Sequence, residues 1–275
     1  MKKNNTCELV NTYEVLEHIM GIDGLHPHSL KTIDYILNIV AEHVKNQKGV
    51  VLDIGCGSGK GTYNLSKKVS ESVSIIGIDI NKSSIEKASM NYSKSKNLSF
   101  YHGDLDDFRK ENNTLKIIGI VAISVSMFLP DIEQFYKVSR NALSDNGIFI
   151  DAPFVFNHAH SSESFKLKTY AVCGCNMTMH TKKHLEDVLI SLGFRNVKSE
   201  LKKFELMDLK ILFKDYPLRL LLFNFFKNSM TPPTILKTQT SRYLFKRTIS
   251  IFNFFMKNKN EYGAGIIMGI KKGAR

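Results

Sequence analysis

Cysteine is scarce in this chain, with four in 275 residues. No pair has the spacing of a disulfide framework, which excludes a stapled secreted scaffold and leads to the expectation of a reducing, cytoplasmic setting. No stretch reads as a signal peptide. Long apolar runs are missing too. The longest, Ile211–Phe226, contains Lys214, Asp215, Pro217 and Arg219, so nothing is expected to span a bilayer. Metal-ligand spacing is also absent. Cys173-Gly174-Cys175 ahead of His180 and His184 leaves one residue between the cysteines where closely spaced zinc ligands leave two, so the cysteines read as structural and no metal is expected. Acids are the minority charge, 26 against 38 Lys and Arg, for a net charge of +12.

Two nucleotide signatures are missing as well. The stretch VVLDIGCGSGKG (Val50–Gly61) is a run of apolar residues that breaks into glycine at Gly55, Gly57 and Gly59. Such a run predicts a buried strand entering a tight turn, and the sequence from Lys60 to Val69 suits a helix. The turn thus sits at a helix N-terminus, a docking place for nucleotide-like ligands. A dinucleotide fingerprint needs its third glycine three residues after the second, where Lys60 or Thr62 stands. A P-loop needs Gly-Lys-Ser/Thr, and here the order is Lys60-Gly61-Thr62. Asp53, immediately ahead of the loop, opposes a pyrophosphate and suits a ligand with a positive centre.

Two more acids follow at predicted strand ends. SVSIIGIDI (Ser72–Ile80) carries Asp79, 26 residues after Asp53, and NLSFYHGDL carries Asp104, 25 residues later. A carboxylate at the carboxyl end of the second strand of a doubly wound sheet is placed to hold ribose hydroxyls. With these three acids at successive predicted strand ends, the chain resembles the class I S-adenosylmethionine-dependent methyltransferases. VLDIGCGSG is similar to that family's first motif, IIGIDI to its second and YHGDLDDF to its third. The resemblance implies S-adenosylmethionine as cofactor, held by Asp53, Gly55, Cys56, Gly57, Gly59, Asp79, Ile80, Asp104, Leu105 and Ser124, with Tyr13 contributing from the N-terminus. It places Asp79 on the ribose and Asp104 near the adenine.

The same resemblance extends to the fold, an α/β doubly wound, seven-stranded, mostly parallel sheet of the Rossmann-like methyltransferase type. IIGIVAISVSMFLP (Ile117–Pro130) looks like the fourth strand. A helix, a turn at Asp145-Asn146-Gly147 and a fifth strand follow. TKKHLEDVLISLGFRNVKSEL supplies a capped helix and a sixth strand, and EYGAGIIMGIKK the seventh. The expected organisation is an N-terminal helical cap (1–48), a cofactor-binding core (49–204), a basic aromatic helical insertion before the last strand (205–261) and the final core strand (262–275).

The C-terminal stretch, the insertion together with the final strand, holds most of the basic excess. From Glu205 to Arg275 there are 13 Lys or Arg against 4 Asp or Glu. The residues between Phe204 and Gly263 carry 11 of the chain's 28 Phe and Tyr. FNFFKN and FNFFMKN flank a break at Thr231-Pro232-Pro233, which predicts two aromatic helices folded as a hairpin. They are expected to form an accessory core and a lid over a small-molecule acceptor. A homodimer interface and peripheral contact with anionic membrane remain alternatives.

For chemistry, the plausible bases are His26, His28, His158, His160 and His180, with His28, Tyr13 and His158 the expected catalytic residues. The N-terminal region is similar to that of phosphoethanolamine methyltransferases, whose tyrosine Tyr13 matches. The place of its partner histidine is taken by Phe128, a departure from that family's pattern. Nucleic acid is the less favoured partner. SVSMFLP stands where base-amine methyltransferases carry Asp/Asn-Pro-Pro-aromatic. The function expected is methyl transfer to a small apolar or aromatic metabolite, with an RNA, or a membrane-associated lipid or quinone, as the alternatives.

Overall fold

A computed structural model of the protein describes residues 30–156, 177–202, 257 and 262–273. The chain divides into two compact units. The larger takes in His26–Ala159, Thr178–Glu205 and Asn260–Arg275 and contains the sheet. The smaller, Met1–Leu25, His160–Met177 and Leu206–Lys259, lies almost wholly outside the described residues, as do the expected N-terminal helix and the aromatic hairpin.

Apolar, β-branched runs dictate the sheet. The strands β1 (Gly49–Ile54), β2 (Val73–Asp79), β3 (Leu98–His102), β4 (Ile117–Ile123) and β5 (Leu143–Ala152) pair in parallel in the order β3-β2-β1-β4-β5. Strand β9 (Tyr262–Lys271) lies antiparallel to β5, and β8 (Phe194–Lys202) pairs antiparallel with its other edge. Alternate residues of the strands face opposite sides. Leu52, Ile120 and Phe149 enter one core with Leu105, Tyr136 and Leu185. Val51, Val121 and Ile150 enter the other with Ile36, Val40 and Leu65. Helices on both faces of a parallel sheet, with the strand order reversing between β1 and β4, make this a doubly wound fold, and ligands of such sheets lie where the order reverses.

The helices end where the sequence supplies caps. They are α1 (Leu30–Val44), α2 (Lys60–Ser66), α3 (Lys82–Tyr92), α4 (Leu105–Glu111), α5 (Ile132–Ala142) and α6 (Lys182–Ser191). Asn81, Asp104, Asp131 and Thr181 each accept a backbone N–H with their side chain at the start of α3, α4, α5 and α6. Helix α6 is followed by Gly193 at φ 79, the left-handed stop the sequence predicts.

Several boundaries differ from the sequence reading for identifiable reasons. Asp104 falls two residues past β3, because it is the N-cap of α4 rather than a strand end. The Asp145-Asn146-Gly147 turn lies within the span of β5, as an excursion opposite a register shift in β4, with Asn146 at φ 63. The expected seven long strands are joined by two short ones. Pro153 has no N–H to donate and interrupts the fifth strand, which resumes as β6 (Phe154–Phe156) beside β9. The two-residue β7 (His180–Thr181) then pairs in parallel with β6.

The glycines of the β1–α2 turn are required for different reasons. A Cβ on Gly55 (φ +69) would overlap the Val125 side chain. One on Gly59 (φ +84) would sit 2.6 Å from Phe100 Cζ and 2.8 Å from Ala88 Cβ. Gly59→Ala should therefore combine left-handed strain, about 1–3 kcal/mol, with a clash. Calorimetric melting should show the loss. An unchanged melting temperature would disprove the packing role.

Candidate functional site

The turn between β1 and α2 is tied down from below by β2. Gly55 N–H and Cys56 N–H both donate to Ile78 O, at 2.7 and 3.1 Å. Gly57 N–H donates to Asp79 Oδ2 at 2.8 Å, while Asp79 Oδ1 accepts Asn81 N–H, also at 2.8 Å. The Asp79 carboxylate thus fixes the middle of the glycine turn and the start of α3 together. Gly57 is at φ +53, and among the described residues nothing lies within 4 Å of the position its Cβ would take. Of the three turn glycines, Gly57 alone borders open space. Beside it Ile80 is 77% exposed, an apolar side chain left on the rim of the sheet.

Asp53 is buried. Its Oδ2 accepts the Thr62 hydroxyl at 2.7 Å, which joins the end of β1 to the first turns of α2. Burial raises its pKa to about 6, the Thr62 hydrogen bond opposes the rise, and the Asp79 charge adds to it. The Cys56 thiol is pushed well up, chiefly by burial and then by the Asp53 and Asp79 charges, so it is no nucleophile at neutral pH. Its sulfur lies against Gly77, where a Cβ would come within 2.8 Å of it. A small side chain is what this position requires.

Asp104 is exposed, and its Oδ1 accepts Asp107 N–H at 2.8 Å, leaving the other oxygen on the rim. Leu105 is 5% exposed and packs into the core, so only its main chain is available to a ligand. Ser124 follows β4 directly at φ 62, a left-handed conformation uncommon outside glycine, and its N–H donates to Ala152 O at 2.9 Å. The structure therefore brings Asp53, Gly55, Cys56, Gly57, Gly59, Asp79 and Ile80 together around the turn. Ser124 is linked to it through Val125, which packs on Gly55. Tyr13, His28 and His158 lie outside the described residues, as do His26, His160, Cys173 and Cys175.

His180 and His184 are both described, and their rings stack 4.8 Å apart. Among the described residues no three His, Cys, Asp or Glu come together as metal ligands. An apolar groove of about 780 Å³ runs between α1 and the β8–β9 pair, lined by Ile39, Ile148, Val197, Met268 and Ile270 among others. None of the turn residues lines it, so it is separate from this chemistry.

Sequence reasoning missed a second buried carboxylate. Asp151 lies in β5 between Ala122 of β4 and Ile267 of β9, with no exposed surface. Its Oδ2 accepts the hydroxyl of the equally buried Tyr136 at 2.7 Å. Burial raises its pKa to about 7, against the opposing effects of Ser126, Tyr136 and the Ala152 backbone. The signal was one acid at the end of GIFID, inside an otherwise apolar strand.

The comparisons with known proteins bear on this geometry. The sequence family described as a methyltransferase domain matches residues 45–193. A malonyl-[acyl-carrier protein] O-methyltransferase of Halalkalibacterium halodurans is 26% identical over 157 residues, which is 54% of this chain and 58% of that protein. The chain thus aligns with little more than half the length of that relative. A putative sarcosine dimethylglycine methyltransferase of Galdieria sulphuraria superposes with TM-score 0.70 at 13% identity, over 95% of this chain and 98% of that one. A phosphoethanolamine N-methyltransferase of Haemonchus contortus, in complex with S-adenosylhomocysteine, gives TM-score 0.67 at 14% identity, over 97% and 59%. The fold is that of the class I S-adenosylmethionine-dependent methyltransferases. The chain belongs to the methyltransferase-domain family, as its motifs implied.

The two buried carboxylates make a pH prediction. Both folded-state pKa values, about 6 for Asp53 and about 7 for Asp151, lie above the ordinary 3.8. Their protonated forms fit the fold, so their contribution is fully present below about pH 4 and is lost as pH rises through 6 and 7. At about 1.4 kcal/mol per unit, Asp151 alone costs on the order of 4 kcal/mol by pH 8. Melting temperature should fall between pH 5 and 8, and fall less in Asp151→Asn. Parallel profiles for the two proteins would refute the assignment.

Proposed function

We propose that this protein transfers a methyl group from S-adenosylmethionine to a small-molecule acceptor. The observation that carries the reading is the open space over Gly57. It is bounded by the Asp79 carboxylate, whose oxygens keep free lone pairs, and by the exposed Ile80. The residues present fit the cofactor. Asp79 would take the ribose hydroxyls, Ile80 would cover an adenine face, and the free oxygen of Asp104 would accept the adenine amine. The backbone at Gly55, Cys56, Gly57 and Gly59 would border the amino-acid end, and Ser124 would close the side nearest β4. The family resemblance would add Tyr13, which lies outside the described residues.

When bound, S-adenosylmethionine supplies a methyl group already activated on a sulfonium. The chain's own task is then alignment of the acceptor and exclusion of water. Where the acceptor arrives protonated, His28, Tyr13 or His158 would hold that proton. The insertion 205–261, rich in Phe and Tyr, suits a cover for an apolar or aromatic acceptor, and its positive charge suits an anionic one. A second reading, a carboxylate acceptor presented on a carrier protein, draws on the malonyl-[acyl-carrier protein] relative and on the net charge of +12. Membrane contact or a homodimer through the same insertion would add to either reading. A nucleic-acid acceptor is the least favoured.

Calorimetry with S-adenosylhomocysteine tests the site before any acceptor is known. Asp79→Asn keeps an acceptor for Gly57 N–H and removes the charge. Charge-assisted hydrogen bonds are worth about 1.5–3 kcal/mol, so affinity should fall roughly tenfold or more. Gly57→Ala should weaken binding and lower melting only by left-handed strain, about 1–2 kcal/mol, since its methyl meets no described residue. Wild-type affinity in both folded variants would overturn the assignment. Labelled S-adenosylmethionine with a panel of apolar, aromatic and carrier-bound acceptors then separates the two readings.

A further inference from the structure

The turn after β4 is the place where three parts of the fold meet. Its first residue, Ser124, is left-handed and bonded to Ala152 O. Its second, Val125, packs against Gly55 of the glycine turn. The 3-10 turn Ser126–Phe128 follows. Met127 O accepts Thr178 N–H at 2.7 Å and Met127 Sδ accepts Phe154 N–H at 3.5 Å, while Phe128 is 39% exposed. Movement of this short segment therefore reaches the cofactor turn on one side and residues 177–179 on the other.

Beneath it the polar pairing is incomplete. Ser126 is 2% exposed, and its hydroxyl faces the Asp151 carboxyl, whose ionised form it favours. Yet neither Ser126 Oγ nor Asp151 Oδ1 completes a hydrogen bond, and Ser124 Oγ is also buried without a partner. A buried polar atom left unpaired has lost its water without a replacement, so a bond formed between Ser126 Oγ and Asp151 Oδ1 would be a gain. The other Asp151 oxygen is engaged by Tyr136, which fixes the carboxyl from α5. Nothing else charged competes among the described residues. Facing or flanking Asp151 are Tyr136 from α5, Ala122 from β4, Ile267 from β9 and Ser126 from the turn, and α6 contributes Leu185, Val188 and Leu189 to the same core.

We propose that Asp151 is a positioning residue that acts through Ser126 on the turn after β4, so that the proton on Asp151 decides how tightly that turn is held. The ionised carboxylate draws in the Ser126 O–H as a charge-assisted bond, seating the turn and, through Val125, the glycine turn. Protonation replaces that bond with a weaker neutral one and frees the turn. Burial holds the carboxyl near neutrality, with a pKa of about 7, so the exchange falls in the physiological range. The consequence for cofactor affinity rests on the reading of the glycine turn as a cofactor site, whereas the consequence for the turn does not.

Hydrogen–deuterium exchange of the peptide covering Ser124–Phe128, corrected for intrinsic rates, tests the device from pH 6 to 8.5. In the wild type, protection should rise about threefold or more across that range. It should be flat in Asp151→Asn and in Ser126→Ala. Ser126→Ala keeps the buried carboxyl, so its melting temperature should still fall with pH, which separates positioning from mere burial. With S-adenosylhomocysteine as probe, the dissociation constant of Asp151→Asn relative to wild type should grow from near one at pH 6 to threefold or more at pH 8.5. Equal ratios at both pH values, or a pH-dependent protection that survives in Ser126→Ala, would overturn the proposal. If the probe fails to bind the wild type at any pH, the cofactor reading falls and the exchange profile alone decides the role of Asp151.

Discussion

The backbone at the end of β2 holds the site in shape. Ile78 O receives two N–H groups from the glycine turn, and the next residue's carboxylate receives a third. These bonds force residues 55–57 to double back over the edge of the sheet. The path requires positive φ at Gly55 and Gly57, and so requires glycine. Close approach of Val125 and Phe100 then leaves room for no side chain at Gly55 or Gly59. What remains open is the space over Gly57. The pattern read from sequence as one ligand-binding loop is thus two packing glycines framing one glycine that no described residue covers.

A tension between burial and charge runs through the same region. Asp53 and Asp151 occupy parallel strands, both enclosed, each answered by one hydroxyl, from Thr62 and Tyr136. One neutral hydrogen bond does not compensate a carboxylate for the loss of water, which is why burial dominates both shifts. Asp79, by contrast, is half-buried and takes two backbone N–H groups. The three acids therefore do three different things. Asp79 is available to a ligand, Asp53 braces α2, and Asp151 lies under the turn that follows β4.

Much of this was legible in the sequence because its causes are local. Apolar runs ending in glycine or aspartate gave β1, β2 and β4 to within a few residues, and the threonine ahead of Lys182 gave the capped start of α6. The order of the strands came from resemblance. What escaped notice depends on contacts distant in sequence. Asp104 looked like a strand end until its capping bond to Asp107 placed it at a helix start. Asp151 and Tyr136 are 15 residues apart on different elements, and no periodicity announces that both point into one core. The expected catalytic residues Tyr13, His28 and His158 fall outside the described residues, so the acceptor side rests on sequence alone.

That asymmetry follows from the chemistry. A cofactor with fixed shape and charge imposes a fixed local pattern, and the pattern survives where overall identity to the solved folds is only 13–14%. The acceptor imposes no comparable pattern, because a donor that arrives activated asks the protein chiefly for alignment. Alignment can be supplied by any surface that holds the acceptor in line, built from segments free to vary. The expected catalytic residues Tyr13, His28 and His158 all lie in segments 1–29 and 157–176, and the aromatic insertion lies in 203–261, almost wholly outside the described residues. The turn after β4 reaches both sides. It touches the glycine turn through Val125 and Gly55, and it exposes Phe128, the residue read as standing in place of the phosphoethanolamine methyltransferase histidine. A substitution at Phe128 would leave the bonds at Ile78 and Asp79 in place, because those bonds are made by the main chain of the glycine turn and by one carboxylate.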